Sequence, residues 1–287
     1  MCGIIVMKIK KRKRGMKMTE LRKAQLVMKD ILDFVVKICE ENNLEYWLDC
    51  GTLLGAVRHG GFIPWDDDID IVMPREDFEK FAKIFYKYEN EDYGYIDEHT
   101  DKIYHYYFSK VLSKHHFNKD ESINYNKGIY IDIFPMDFYE KKYEKKWERF
   151  MFLSLPFKKN KEKGLKRKLS YLKRQVSKVE WGILKYILLR SKNKGNKDIV
   201  TYDWEMADYQ AKFKYDDIFP LTKVKFEGTK YNAPKDIHLY LATIYGDYME
   251  LPSKENQICH NKEGFIFDEK YLKKWSEDED IIDSNCI

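Results

Sequence analysis

Trp65-Asp66-Asp67-Asp68-Ile69-Asp70-Ile71-Val72 decides how this chain is read. Residues 68–72 have the period of a half-buried strand, with Ile69 and Ile71 entering the core. Asp68 and Asp70 then point the same way, about 7 Å apart along the chain, and Asp66 shares their parity. Four carboxylates fall within five residues, and no Lys or Arg occurs between His59 and Arg75. At an effective dielectric of about 20, two like charges about 4 Å apart repel by about 4 kcal/mol, so converging buried carboxylates need protons or a cation. Mg²⁺, with Mn²⁺ as an alternative, suits such a site because it takes one or two carboxylates and completes its shell with water and phosphate oxygens. The isoleucine alternation is unlike the looping backbone of an EF-hand.

Outward from the acids, the pattern is α/β (α+β). Upstream, Thr19 caps a helix to about Asn42 whose buried stripe is Leu21, Met28, Ile31, Leu32, Val35 and Ile38. A strand at residues 46–49 follows, and Gly51-Thr52 turns the chain into a short helix at 53–58 that Gly60-Gly61 ends. The free N–H groups at that helix start suit a phosphate, and Arg58 at its far end can clamp one. Downstream, Pro74 begins a helix with Phe78, Phe81, Ala82 and Phe85 inward, ending near Tyr88. Strands are expected at 104–112 and 129–134, the second stopped by Pro135. In that second strand Asp132 is a single acid flanked by core residues, placed to complete the site of Asp68 and Asp70. A last helical segment is expected at 235–245, and residues 276–283 read as a mobile tail.

The chain of 287 residues, with 44% hydrophobic and 16% aromatic content, is long enough to bury a large core. Five scattered cysteines without a CxxC pair argue against a disulfide framework or a zinc site and fit a reducing cytoplasm. No stretch reaches the roughly 20 apolar residues that span a bilayer, and the apolar start precedes its basic run, the reverse of a secretory signal. Residues 141–197 hold 20 Lys or Arg against four Glu, a surplus of 16, so the rest of the chain carries −12 within a net of +4. Leu165, Leu169, Leu172, Val176, Val179 and Ile183 give that run an amphipathic helical period. It is either a solvated helical insertion or a peripheral contact with an anionic membrane, where each basic residue contributes about 1 kcal/mol. Nucleic acid is not expected as a partner, because no motif that reads it is present.

Residues 46–71, with Cys50-Gly51-Thr52, Arg58-His59-Gly60-Gly61 and Trp65-Asp66-Asp67-Asp68-Ile69-Asp70 inside them, closely resemble the LicD family of phosphotransferases. Ile131-Asp132-Ile133-Phe134-Pro135, Phe226-Glu227-Gly228 and Tyr245-Gly246-Asp247-Tyr248-Met249 are similar to later segments of that family. The resemblance covers about residues 19–260. It implies a nucleotidyltransferase-like mixed sheet flanked by helices, carrying the basic helical insertion. The chain then divides into a basic leader (1–18), a catalytic core (19–140), the basic amphipathic region (141–200), the C-terminal part of the catalytic unit (201–267) and an acidic tail (268–287).

By the same resemblance Asp68, Asp70 and Asp132 are the metal carboxylates, with Asp132 alternatively the acceptor of the substrate's proton. Gly51, Thr52 and Arg58 become the contacts to the donor phosphates. The implied reaction moves a phospho-alcohol, phosphocholine first, from a CDP-activated donor to a hydroxyl of a cell-surface glycan, free or lipid-linked, releasing CMP. It would run in the cytoplasm, in solution or on the inner face of the membrane. Cys50 stands where the family leads one to expect glycine, which restricts the turn. Tyr46, Trp47, Trp65, Tyr104, Tyr106, Tyr107 and Tyr130 stand near the motifs as partners for a quaternary ammonium, and no cage is assigned among them. A sugar-nucleotide glycosyltransferase, which also uses paired aspartates, and a non-enzymatic cation- and membrane-binding module are the competing readings.

Overall fold

The computed structural model describes residues 18–143 except 102, 105, 107, 122 and 124, together with 145, 179, 183, 198–202 and 211–276. The basic leader before residue 18, nearly all of the basic run and the tail from 277 onward lie outside the described residues. Of the apolar period in the basic run only Val179 and Ile183 are described, both helical and exposed.

Helix α1 (Glu20–Glu41) starts as its sequence dictates: Thr19 Oγ1 accepts from the N–H of Arg22 at 3.1 Å, satisfying one of the orphan donors of the first turn. Its stripe of Met28, Ile31, Leu32, Val35 and Ile38 is fully buried. The chain then makes β1 (Trp47–Leu48), α2 (Cys50–His59) and β2 (Asp70–Pro74). Gly60, at φ 71°, ends α2 in the left-handed region that glycine enters without steric penalty. β1 pairs antiparallel with β2, Leu48 opposite Ile71. Because β1 turns into α2 at Asp49, residues before Asp70 lose that partner, and Asp68 lies in the segment leading into β2 rather than in the strand.

α3 (Arg75–Ile84) leaves directly from β2 and continues as a 3-10 turn (Phe85–Lys87), burying Phe81 and Phe85 as expected. β3 (Tyr93–Ile96), β4 (Ser109–Asn118) and β5 (Gly128–Tyr139) follow. β4 begins five residues later than the alternation suggests. The rings of Tyr104, Tyr106 and Phe108 pack on one another at 5.2 and 5.1 Å, and Phe108 packs on Phe134 at 4.6 Å, so they form a cluster before the strand instead of pairing within it.

Pro135 does not stop β5, contrary to expectation. The N–H of Asp132 points to β2, donating to Ile69 at 2.8 Å, so by alternation the missing donor of Pro135 faces the other side. On that side β4 pairs only as far as Ile133, and β6 (Ile199–Tyr202) begins at Met136. The proline sits in the gap between two partners, where no ladder bond is lost.

β7 (Lys212–Lys214) pairs with β6, and α4 (Tyr215–Ile218) leads to a separate hairpin of β8 (Thr222–Phe226) and β9 (Thr229–Ala233). α5 (Ile237–Tyr245), capped by Asp236, β10 (Phe265–Ile266) and α6 (Glu269–Ser276) complete the described chain. The result is a mixed α/β sheet in the order β1-β2-β5-β4-β10, with β2 and β5 parallel and the remaining pairs antiparallel. α1 packs across β4 and β5, and α3 across β2 and β5. Among the described residues no helix is long and apolar enough to cross a membrane.

Candidate active site

The parallel pairing of β2 with β5 sets Asp70 directly opposite Asp132. Ile69 and Ile71 are fully buried, as the alternation requires, so Asp70 between them faces the other way. Asp66, Asp68 and Asp70 line one open cleft of about 550 Å³, a size that suits a small-molecule ligand. Gly51, Arg58 and Trp65 line it too. Tyr245, Asp247, Tyr248 and residues 250–253 also line it.

Gly51 has a steric reason to be glycine. A Cβ at that position would come within 2.8 Å of Asp66 Oδ2. The positive end of α2 and a carboxylate of the acid run are thus pressed together, an arrangement the helix dipole favours. Gln25 on α1 holds the same loop from behind, donating to the carbonyl of Asp66 at 2.9 Å. Thr52 is buried and its hydroxyl accepts from the N–H of Asp70 at 2.9 Å, which ties the start of α2 to the start of β2. Arg58 donates to the carbonyls of Tyr248 and Glu250 at 3.0 and 3.4 Å, while its Nε has no hydrogen-bond partner. The guanidinium is therefore fixed on the cleft wall through one of its terminal nitrogens, and its unpartnered Nε is buried.

Burial and mutual repulsion act together on the acids. Burial first, then Asp68, pushes the carboxyl of Asp66 up to about 9. Burial followed by neighbouring carboxylates holds Asp70 well above the ordinary range, and burial raises Asp68 in spite of its bond with Asp66. Asp132 is raised by burial against the opposing pull of Lys110. Such a cluster favours any cation that can enter it.

Lys110 is the residue the sequence reading missed. β4 sets it opposite Asp132, and its ammonium bonds to the Asp132 carboxylate with side chains only 4% and 13% exposed. The ammonium lies 3.4 Å from the centroid of the Tyr130 ring. Asp132 on β5 sits one strand in from Asp70 on β2, and Lys110 on β4 sits two strands in. Nothing in the local sequence of β4 distinguishes a buried lysine from the solvent-facing lysines around it, so only the register of β4 on β5 reveals the pair. Tyr46 and Trp47, which stood among the aromatics near the motifs, are core residues.

Asp67 turns away from the other acids. Its carboxylate accepts from the N–H groups of His260 and Asn261 at 2.9 and 2.7 Å and so anchors the chain before β10. Asp66, Asp67 and His260 each offer a ligand atom within 4.8 Å of the others, closer together than the three acids the sequence singled out. Two backbone donors already engage Asp67 and His260 is exposed, so this trio is a loop anchor with less need of a cation than the buried acids have. Glu227 has a similar structural duty. It receives both ends of the Arg22 guanidinium at 3.2 and 2.6 Å and the N–H of Phe62 at 3.1 Å, which pins the segment leading from Gly60 to the acids.

A mixed sheet that sets carboxylates on two parallel strands beside a helix N-terminus is consistent with a nucleotidyltransferase-like domain. The family described as LicD/FKTN/FKRP, nucleotidyltransferase domain, matches residues 43–166. The chain is 30% identical over 275 residues to the lipopolysaccharide cholinephosphotransferase LicD of Haemophilus influenzae, covering 88% of this chain and 100% of that protein. It is 38% identical over 115 residues to an uncharacterised protein of Rickettsia typhi, covering 39% of this chain and 34% of the relative. It is also 44% identical over 50 residues to the human ribitol 5-phosphate transferase FKRP, covering 17% of this chain and 10% of that protein. The chain belongs to the LicD family and is a transferase.

Proposed function

We propose that the protein transfers a phospho-alcohol group, phosphocholine first, from a CDP-activated donor to a hydroxyl of a cell-surface glycan, releasing CMP. The observation that carries this reading is the cleft in which half-buried acids, the N-terminus of α2 and Arg58 converge. The name of the Haemophilus relative supports choline, and that of the shorter FKRP match supports the wider class of alcohol phosphates.

The donor set fits a hard divalent cation, Mg²⁺ or Mn²⁺: all the ligands are carboxylates, half-buried beside one another with Lys110 paired to only one of them. Asp68, Asp70 and Asp132 are the residues that would hold it, and when bound it would neutralise the donor's diphosphate. The protein's own part is positioning and charge stabilisation, which carry most phosphoryl-transfer catalysis. Arg58 and Gly51 line the cleft and would meet the phosphates with the guanidinium and a first-turn N–H, while Thr52 supports them from behind through its bond to Asp70. The acceptor glycan is free or lipid-linked, and residues 141–197 are the candidate contact with an anionic membrane that would bring a lipid-linked one within reach.

The test is to incubate the protein with Mg²⁺, CDP-choline, CDP-glycerol or CDP-ribitol, and candidate glycans, and to follow CMP release with and without chelator. Chelator-sensitive CMP release that needs the glycan is expected, fastest with CDP-choline. Release of UDP from a nucleotide sugar without CMP release would sink the reading, and chelator-insensitive turnover would sink its metal.

A further inference from the structure

We infer that Trp65 and Tyr245, with the carboxylates of Asp247 and Glu250, receive the alcohol end of the donor and select a permanent cation there, a quaternary ammonium, over a neutral alcohol. The inference rests on the CDP-alcohol transferase reading above and adds to it the residues that choose among donors.

Among the described aromatics that the sequence sets near the motifs, Trp65 lines the cleft, and its companions there, Tyr245 and Tyr248, come from the end of α5 and the turn after it. Trp65 is half-buried, with His59 packed edge-on against it at 6.2 Å. Tyr248 is buried and its hydroxyl is bonded to Nδ1 of His238, whereas Tyr245 is 40% exposed. Accessible rings of this kind attract a cation through their quadrupole. Asp247 and Glu250 line the same cleft as exposed carboxylates, and Arg58 and His260 are the basic side chains among its described lining.

Arg58 ties these residues to the phosphate end of the donor. It donates to the carbonyls of Tyr248 and Glu250, and Tyr245 lies near enough to act on its charge. A phosphate met by Arg58 therefore stands beside residues 245–250, and the alcohol esterified to that phosphate falls among them. Choline carries its charge one short ethylene link away. Cytosine also stacks on aromatic rings, but the ribose holds it farther from the phosphates, and a neutral base gains less from two carboxylates than a permanent cation does.

The experiment compares CDP-choline with CDP-dimethylbutanol, its isostere in which carbon replaces the charged nitrogen. Each is titrated calorimetrically into the full-length protein with Mg²⁺, without acceptor. The unmodified protein should bind CDP-choline about 10-fold more tightly than the isostere. In Tyr245→Leu and in Asp247→Asn/Glu250→Gln that ratio should fall about 3-fold, and a merely structural role would weaken both donors alike and leave the ratio unchanged. A ratio near one in the unmodified protein, or an unchanged ratio in either folded variant, would overturn the inference while leaving phospho-alcohol transfer intact. So would an equal weakening of CMP and CDP-choline in the variants, which would put the cytidine beside these residues. Binding of CDP-glycerol or CDP-ribitol without binding of CDP-choline would also overturn it and leave the transfer reading standing. If no CDP-alcohol binds, the transfer reading fails and the inference with it. Should Tyr245→Leu fail to fold, the double variant, whose side chains are exposed, decides alone.

Discussion

Asp49 and Asp70 are neighbours across the first strand pair, where the N–H of Asp49 donates to the carbonyl of Asp70 at 3.0 Å, yet their carboxylates meet opposite fates. Asp49 is fully buried and supplied with donors. The hydroxyl of Tyr202 reaches both of its oxygens at 2.8 Å, and the hydroxyl of Tyr240 reaches Oδ1 at 2.7 Å. Asp70 instead faces Asp68, Asp132, Asp49 itself and Asp66. Burial raises both carboxyls, but only around Asp49 do neutral hydroxyls offset the rise. Asp137 shows a third outcome, closed by the fork of Arg75 at 3.2 and 2.7 Å. A buried acid with enough donors is part of the framework, whereas one surrounded by its own kind is a place for a cation.

The comparison breaks most readily at the cleft. Replacing Asp70 or Asp68 with Asn should reduce turnover about 10³-fold, the scale of losing one preorganised electrostatic contact. The same change removes repulsion among the acids, so the melting temperature should hold or rise. A variant that loses stability as well as activity would put Asp70 in the same class as Asp49.

The framework acid predicts the reverse. Asp49→Ala strands the hydroxyls of Tyr202 and Tyr240 in the core, and each buried unsatisfied group is worth about 1–3 kcal/mol, so a loss of about 3 kcal/mol is expected. Denaturant unfolding measures it, and Mn²⁺ affinity of the folded fraction should be unchanged. A loss below about 1 kcal/mol would mean that the tyrosines find other partners, and Asp49 would no longer count as framework.

The two regions also differ in how far the sequence discloses them. Asp68, Asp70, Gly51, Thr52 and Arg58 fall within 20 consecutive residues, so strand alternation and helix punctuation suffice to bring them together. Asp132 was legible for a related reason: an acid between isoleucines marks a strand position on the polar face. The partners of Asp49 come from β6 and α5, more than 150 positions away, and tyrosines in a chain with 22 of them carry no mark of their role. Lys110 was hidden because its meaning depends on register, since a slip of one residue would turn it to the other face. Pro135 misled because a proline stops a strand only where the ladder needs its N–H.

Cys50 joins the two regions, lying between Asp49 and the N-terminus of α2, and supplies the finest test. Its φ of 43° is in the left-handed region, which costs an L-residue about 1–2 kcal/mol. Its Sγ lies 3.5 Å from Asp49 Oδ2, on the framework side. Glycine at this position relieves the strain but loses the thiol and gains freedom in the unfolded chain, so Cys50→Gly should stay within about 1 kcal/mol of the unmodified protein. Alanine keeps the strain and also loses the thiol, so Cys50→Ala should be less stable than Cys50→Gly by about 1 kcal/mol, the reverse of their order in an ordinary helix. If alanine instead proves the more stable in paired urea titrations, the turn at residue 50 relaxes to negative φ. The start of α2, and with it the donors at Gly51 and Thr52, would then be less rigidly aimed at the cleft than the acids beside them.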